Sequence, residues 1–160
     1  MAKTKQHGFW DKLREAEPKE AELINELRVR YPITFGDLIK DGGRGSGDAV
    51  SPSSGALVEL KIDFTDHKNH FVERYSNLDT KKDGGPWAYH FCNYYIYKYN
   101  TSGDIHVFDP VTLVEFLEQI NQIDKIFGKR VFQKGAGYTT FGYAIPKIIL
   151  KHLELTDKLT

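Results

Sequence analysis

Apolar and polar residues alternate most regularly from Ala56 to Asp63, where Val58, Leu60 and Ile62 interleave with Glu59, Lys61 and Asp63. Alternation of this period predicts a strand over 56–64 with Glu59, Lys61 and Asp63 on one face and the aliphatic side chains on the other. Upstream, Leu23, Ile24 and Leu27 recur at helical spacing after Pro18, which suits a first helical turn, so an amphipathic helix is expected to run to about Tyr31-Pro32. Further strands are expected at 48–50, 70–75 and 94–99, the last from its run of tyrosines. The turn residues Asn100 to Gly103 pair it with Ile105–Phe108 as a hairpin. A short helix is expected to begin in Gly84-Gly85-Pro86-Trp87. Asp109-Pro110 opens another to about 122, with strands at Val131-Phe132 and Thr139–Ile145 and a closing helix over Ile148–Leu153. A helix, several strands, a helix and more strands predict an α/β (α+β) domain, with a mixed sheet flanked by helices. Residues 1–16 are expected to be a mobile segment, turning helical near Trp10, and 17–160 a single domain.

Length and composition narrow the class. At 160 residues, 40 % hydrophobic and 13 % aromatic, the chain can bury a core of its own. Its formal net charge is zero, which excludes bulk attraction to nucleic acid and leaves room only for a local basic cleft. Cys92 is the single cysteine, so no disulfide forms within the chain. No apolar run has the length of a membrane span, and the basic N-terminus is not followed by a signal-type apolar stretch. A soluble, cytoplasmic protein is expected, with no membrane partner and no organic cofactor.

The chemistry concentrates in Gly45-Ser46-Gly47-Asp48 and, eleven residues later, Glu59-Leu60-Lys61. Asp48 and Glu59 on adjoining strands would supply two carboxylates to one point. At about 4 Å such a pair repels by about 1 kcal/mol in water, and by about 4 kcal/mol at an effective dielectric of 20. A cation or Lys61 must offset that. Magnesium takes oxygen ligands and keeps several waters, so Asp48, Glu59 and the carbonyl of Leu60 form a sufficient ligand set. Lys61 is then placed to orient a water or to support charge on a phosphate.

These residues resemble the PD-(D/E)xK, or restriction-endonuclease-like, nuclease superfamily, with Gly47 where the usual pattern has proline. The order of helix, Gly/Ser/Arg loop, Asp and Glu-x-Lys is similar to Holliday-junction resolvases and to small phage-type endonucleases. His70-Phe-Val-Glu73-Arg-Tyr-Ser-Asn77 and Gly84-Gly-Pro-Trp87 resemble a phage and prokaryotic branch. The likeness spans roughly residues 18–118. It implies a restriction-endonuclease-like fold and Mg²⁺- or Mn²⁺-dependent cleavage of DNA. It also implies an acid on the first helix, for which Glu20 is the best match and Glu22 the rival, and phosphate contacts from Arg44 and Ser46. Endonucleolytic cutting of branched or distorted DNA follows, by a homodimer if both strands are cut.

Other readings remain beside it: an exonuclease, an enzyme acting on RNA, or a binding module that has lost the chemistry. A sugar hydrolase needs an acid of raised pKa, whereas Lys61 is expected to lower that of Glu59. Asp63 reads as a strand-end residue or a supporting group. Glu73, between Phe71 and Tyr75, reads equally as a site residue or as the partner of Arg74 or Arg130. His67, His70, His90 and His106 lack paired ligand spacing, so zinc is not expected. The tyrosines at 95, 97 and 99 are expected to pack within the sheet rather than stack on bases.

Overall fold

The two faces of the 56–63 strand go to different neighbours, as its alternation predicts. The computed structural model describes residues 18–41, 47–64, 68–120, 122–134 and 138–159. The segment expected to be mobile, the Trp10 region, Arg44, Ser46 and His67 lie outside them.

A helix over 18–30 (α1) is followed by Pro32–Phe35 (α2), then by strands Ile39–Lys40 (β1), Ala49–Ser51 (β2) and Ala56–Asp63 (β3). Next come Asn69–Asn77 (β4), Lys82–Asp83 (β5), the helix Gly85–Ala88 (α3), Tyr94–Tyr99 (β6) and Ile105–Phe108 (β7). Helices Pro110–Glu118 (α4) and Ile123–Ile126 (α5), strands Gly128–Lys134 (β8) and Tyr138–Pro146 (β9), and the helix Lys147–Leu150 (α6) complete the chain, with 3-10 turns at Lys151–Leu153 and Thr156–Lys158.

The protein is a mixed α/β fold. Five strands form a mixed sheet in the order β1-β2-β3-β6-β7, antiparallel except for the parallel pair β3 and β6. A parallel pair needs a long crossover, and here it contains β4, β5 and α3. The sequence suggests one mixed sheet, but the structure has a second, antiparallel one in the order β5-β4-β9-β8. The reason is edge availability. Both sides of β3 are taken, by β2 and β6, so the next strand must find a partner elsewhere and pairs with β9.

Leu23, Ile24, Leu27 and Phe35 pack with Val58, Leu60, Ile96 and Val107 as one core. On the opposite face, Tyr95, Tyr97, Tyr99 and Phe108 pack with Val72, Ile145, Leu113 and Leu117 as the other. The five-stranded sheet is therefore enclosed, by α1 and α2 on one side and by the second sheet and α4 on the other. The tyrosines of β6 are buried packing residues, as expected. Asp109 caps α4 by accepting from the N–H groups of Val111 (2.9 Å) and Thr112 (3.5 Å). This helix ends at Glu118 rather than near 122, because Gln122 takes a left-handed φ of +56° and α5 starts afresh. Among the described residues, no helix is long and apolar enough to cross a membrane.

Candidate active site

Asp48 lies in the bend before β2 and is tied to β3 twice. Its N–H donates to Val58 O at 2.9 Å, and its Oδ2 accepts the Leu60 N–H at 2.9 Å. Leu60 turns its side chain into the α1 core, and its neighbours Glu59 and Lys61 take the other face. Glu59 is only 4 % exposed. Lys61 Nζ stands 3.5 Å from Glu59 Oε1, with its side chain 34 % exposed. The two acids and the amine of the Asp…Glu-x-Lys pattern thus meet on one face.

Gly47 shapes the approach to Asp48. Its φ is +86°, a region closed to proline, and an added Cβ would lie 2.9 Å from Val58 O and 3.1 Å from Cys92 Sγ. A bare residue in this conformation lets the chain press against β3 just before Asp48. Cys92, beneath it, is held inert: burial and the charges of Glu59 and Asp48 push its thiol up to about 12.

Burial raises the Glu59 carboxyl to about 8. Lys61 pulls it down, while the nearby Asp48 pushes it up. The expectation that Lys61 would lower this pKa is corrected in its net sign: desolvation outweighs the ion pair. Lys61 loses by burial but gains more from Glu59, Glu73, Tyr89 and Asp48, so its ammonium is held above the usual lysine range. Glu59 Oε2 is buried and has no hydrogen-bond partner among the described residues. A carboxylate oxygen in that state is costly unless something else takes it up. The donor set fits a hard cation.

Two further residues join the group. Glu73, on β4, is 9 % exposed and acts electrostatically on Lys61, Tyr89, Tyr95 and Tyr97. Its neighbour Arg74 pairs with Asp83 at 2.7 Å and lies over the Trp87 ring. The Gly84-Gly85 pair makes room for Glu73, since a Cβ on Gly84 would lie 2.8 Å from its Cγ. The chain then turns into α3, which brings the Tyr89 ring 5.5 Å from Lys61 Nζ. The sequence marks Glu73 by its aromatic neighbours and the diglycine by its rigidity breaks, but nothing local connects either with Lys61.

The remaining candidates are placed less centrally. Asp63 closes β3 opposite Tyr99, two residues beyond Lys61 on the same face. Glu20 stands on α1, the helix that packs against the opposite face.

One cluster was not expected. His70 on β4, His106 on β7 and Glu154 in the C-terminal tail each offer a ligand atom, and these atoms lie within 4.8 Å of one another. Spacing along the chain spoke against a histidine metal site. Pairing between distant segments nevertheless brings three potential ligands together. Burial, with the nearby His106 and Lys147, pushes the His70 imidazole down to about 3.

No family model, curated protein or solved structure matches the chain.

Proposed function

We propose that this chain is a divalent-metal-dependent deoxyribonuclease, an endonuclease of the PD-(D/E)xK, restriction-endonuclease-like type acting on branched or distorted DNA. The observation that carries the reading is Glu59 Oε2, a buried oxygen without a hydrogen-bond partner among the described residues, in a carboxyl set against Asp48 and beside Lys61. At neutral pH the cation-free site favours a proton on Glu59, chiefly because burial disfavours the charged carboxylate and in smaller part because Asp48 stands near it. A divalent cation in place of that proton resolves the same conflict.

Asp48, Glu59 and the Leu60 carbonyl would hold Mg²⁺ or Mn²⁺. The ion supplies Lewis acidity toward a phosphate oxygen and lowers the pKa of a bound water. The chain's own groups do the rest. The Leu60 N–H fixes Asp48 by its Oδ2 and so aims the other oxygen. Lys61 keeps its proton and presents donors to the solvent side, suited to a phosphate oxygen or to orienting a water. Glu73 and Tyr89 keep that ammonium in place. Arg44 and Ser46 precede Asp48 and are proposed to contact the backbone phosphate, whereas Glu20, on the helix packed against the other face of the sheet, is given no part. A homodimer would cut both strands.

The raised Glu59 pKa also suits the general acid of a sugar hydrolase. Lys61 beside Glu59 speaks against it, since the ammonium favours the charged carboxylate whereas such an enzyme needs its acid held protonated.

The test uses supercoiled plasmid, linear duplex, single-stranded DNA, RNA and a four-way junction with Mg²⁺, Mn²⁺ or EDTA. Cleavage of closed circles or junctions that needs metal and is lost in Glu59→Ala and Lys61→Ala is the expected result. Loss from ends only would make the enzyme an exonuclease, and cutting of RNA alone would change the substrate. Binding without cleavage, unaffected by either substitution, would leave a binding module and overturn the proposal.

A further inference from the structure

His70 and His106 come from different sheets and meet where those sheets face each other. Their rings are 4.8 Å apart in an edge-on arrangement, enclosed by Tyr97, Tyr99 and Phe108 around His70. Each ring has one nitrogen engaged. His70 Nδ1 is 2.6 Å from the Tyr99 hydroxyl, and His106 Nδ1 contacts Glu154 Oε1. Each ring's other nitrogen, Nε2, is buried and has no hydrogen-bond partner among the described residues. His70 itself is fully buried. One ring nitrogen from each histidine and a Glu154 carboxylate oxygen lie within 4.8 Å of one another, so three donors of the kind that bind metal face one point.

The backbone holds Glu154 in place. The next residue, Leu155, donates its N–H to Val107 O at 2.8 Å, which lays the C-terminal tail along β7 beside His106. One strand from each sheet and the tail therefore converge on a single point.

We infer that His70, His106 and Glu154 form a structural site for a zinc-class dication, with the two imidazoles as nitrogen ligands and Glu154 as the anionic member, which clips the C-terminal tail and both sheets together. Imidazole and carboxylate donors suit zinc, whereas the all-oxygen Asp48–Glu59 pair suits magnesium. Zinc bonds are about 2.0–2.2 Å, so a cluster spanning up to 4.8 Å would contract by roughly 1 Å on loading. This site stands apart from the proposed nuclease chemistry, and either can fail without the other.

The experiment strips the full chain with a chelator, dialyses it against Zn²⁺, and measures bound metal by atomic emission and thermal stability with and without Zn²⁺. Cobalt loading gives a second readout through the visible bands of a nitrogen-ligated Co²⁺. Wild type and Glu59→Gln should each retain one zinc per chain and melt higher with it. His106→Gln should retain none, and Glu154→Gln should bind more weakly by at least about 10–100-fold, the loss that removing even an outer partner causes. Both altered positions are partly exposed, and circular dichroism checks that each variant folds. Were His106→Gln to misfold, Glu154→Gln decides alone. Zinc retention at wild-type strength in the folded variants, retention abolished by Glu59→Gln, or no uptake by wild type would each overturn the inference. In the last case the two nitrogens share a buried water.

Discussion

Lys61 Nζ lies 3.5 Å from Glu59 Oε1, within ion-pair reach, and yet the Glu59 carboxyl is raised to about 8. The ammonium is not enough to ionise its neighbour, because burial and Asp48 act against it. A site in this state stores a proton that a cation can displace, and several measurable consequences come from that one imbalance.

The first concerns stability against pH. Glu59 has its folded-state pKa raised from 4.5 to about 8, so between those values the folded chain binds a proton that the unfolded chain has released. Stability conferred by that proton is complete below about pH 4.5 and declines as the pH rises toward 8, by at most about 1.4 kcal/mol per pH unit. Without divalent metal, Glu59→Gln should lack this component, and its urea midpoint should exceed that of wild type at pH 8.5 by more than at pH 5. Parallel pH profiles for the two proteins would show that Glu59 ionises normally.

The second concerns the cation. Binding of Mg²⁺ must release the Glu59 proton, so affinity should rise as the pH rises through about 8 and level off above it. Calorimetric titration at pH 6.5 and 9 in buffers of different ionisation enthalpy reads both the affinity and the proton released. In Glu59→Gln the proton release should vanish.

A third prediction addresses Gly47. Alanine there would carry a φ of +86° with its Cβ 2.9 Å from Val58 O, and both features are unfavourable. Gly47→Ala should cost about 1–3 kcal/mol in denaturant unfolding. It should also shift Asp48 and so weaken Mg²⁺ binding. Gly47→Pro, although it restores the usual superfamily residue, should be worse. A stable Gly47→Pro protein would show that the left-handed turn is dispensable.

Gly84 tests whether Glu73 belongs to the site. A Cβ there would lie 2.7 Å from Ser76 N and 2.8 Å from Glu73 Cγ. Gly84→Ala should lower stability by about 1–3 kcal/mol and displace the Glu73 carboxylate from Lys61. If the nuclease assay succeeds, this variant should lose cleavage in excess of its loss of folded protein. Cleavage that falls only in step with the folded fraction would assign Glu73 a packing role.

Much of the five-stranded sheet can be read from the sequence because its signals are local. Val58 and Leu60 alternate with Glu59 and Lys61, Asn100–Gly103 turns β6 into β7, and Asp109-Pro110 starts α4. The meeting of Asp48 with Glu59 is legible for the same reason, since a short polar turn links their strands. The second sheet is not. Residues 70–75 and 139–145 each read as strands, but that β4 leaves β3 and pairs with β9 depends on which edges remain open. Glu73 beside Lys61 and His70 beside His106 follow from that choice, and no spacing rule anticipates them. The same holds for Gly47. Its left-handed φ and its close approach to Val58 O belong to the folded backbone, and its place in Gly45-Ser46-Gly47 does not announce them.

The pairing of Asn69 with Pro146 has a consequence for how the molecule is made. A ribosome must deliver the chain as far as Pro146 before β4 can acquire its long-range partner, well after Asp48, Glu59 and Lys61 have emerged. Contacts so distant in sequence form slowly. During synthesis β4, the strand that carries Glu73 toward Lys61, therefore waits for its long-range partner until β9 arrives.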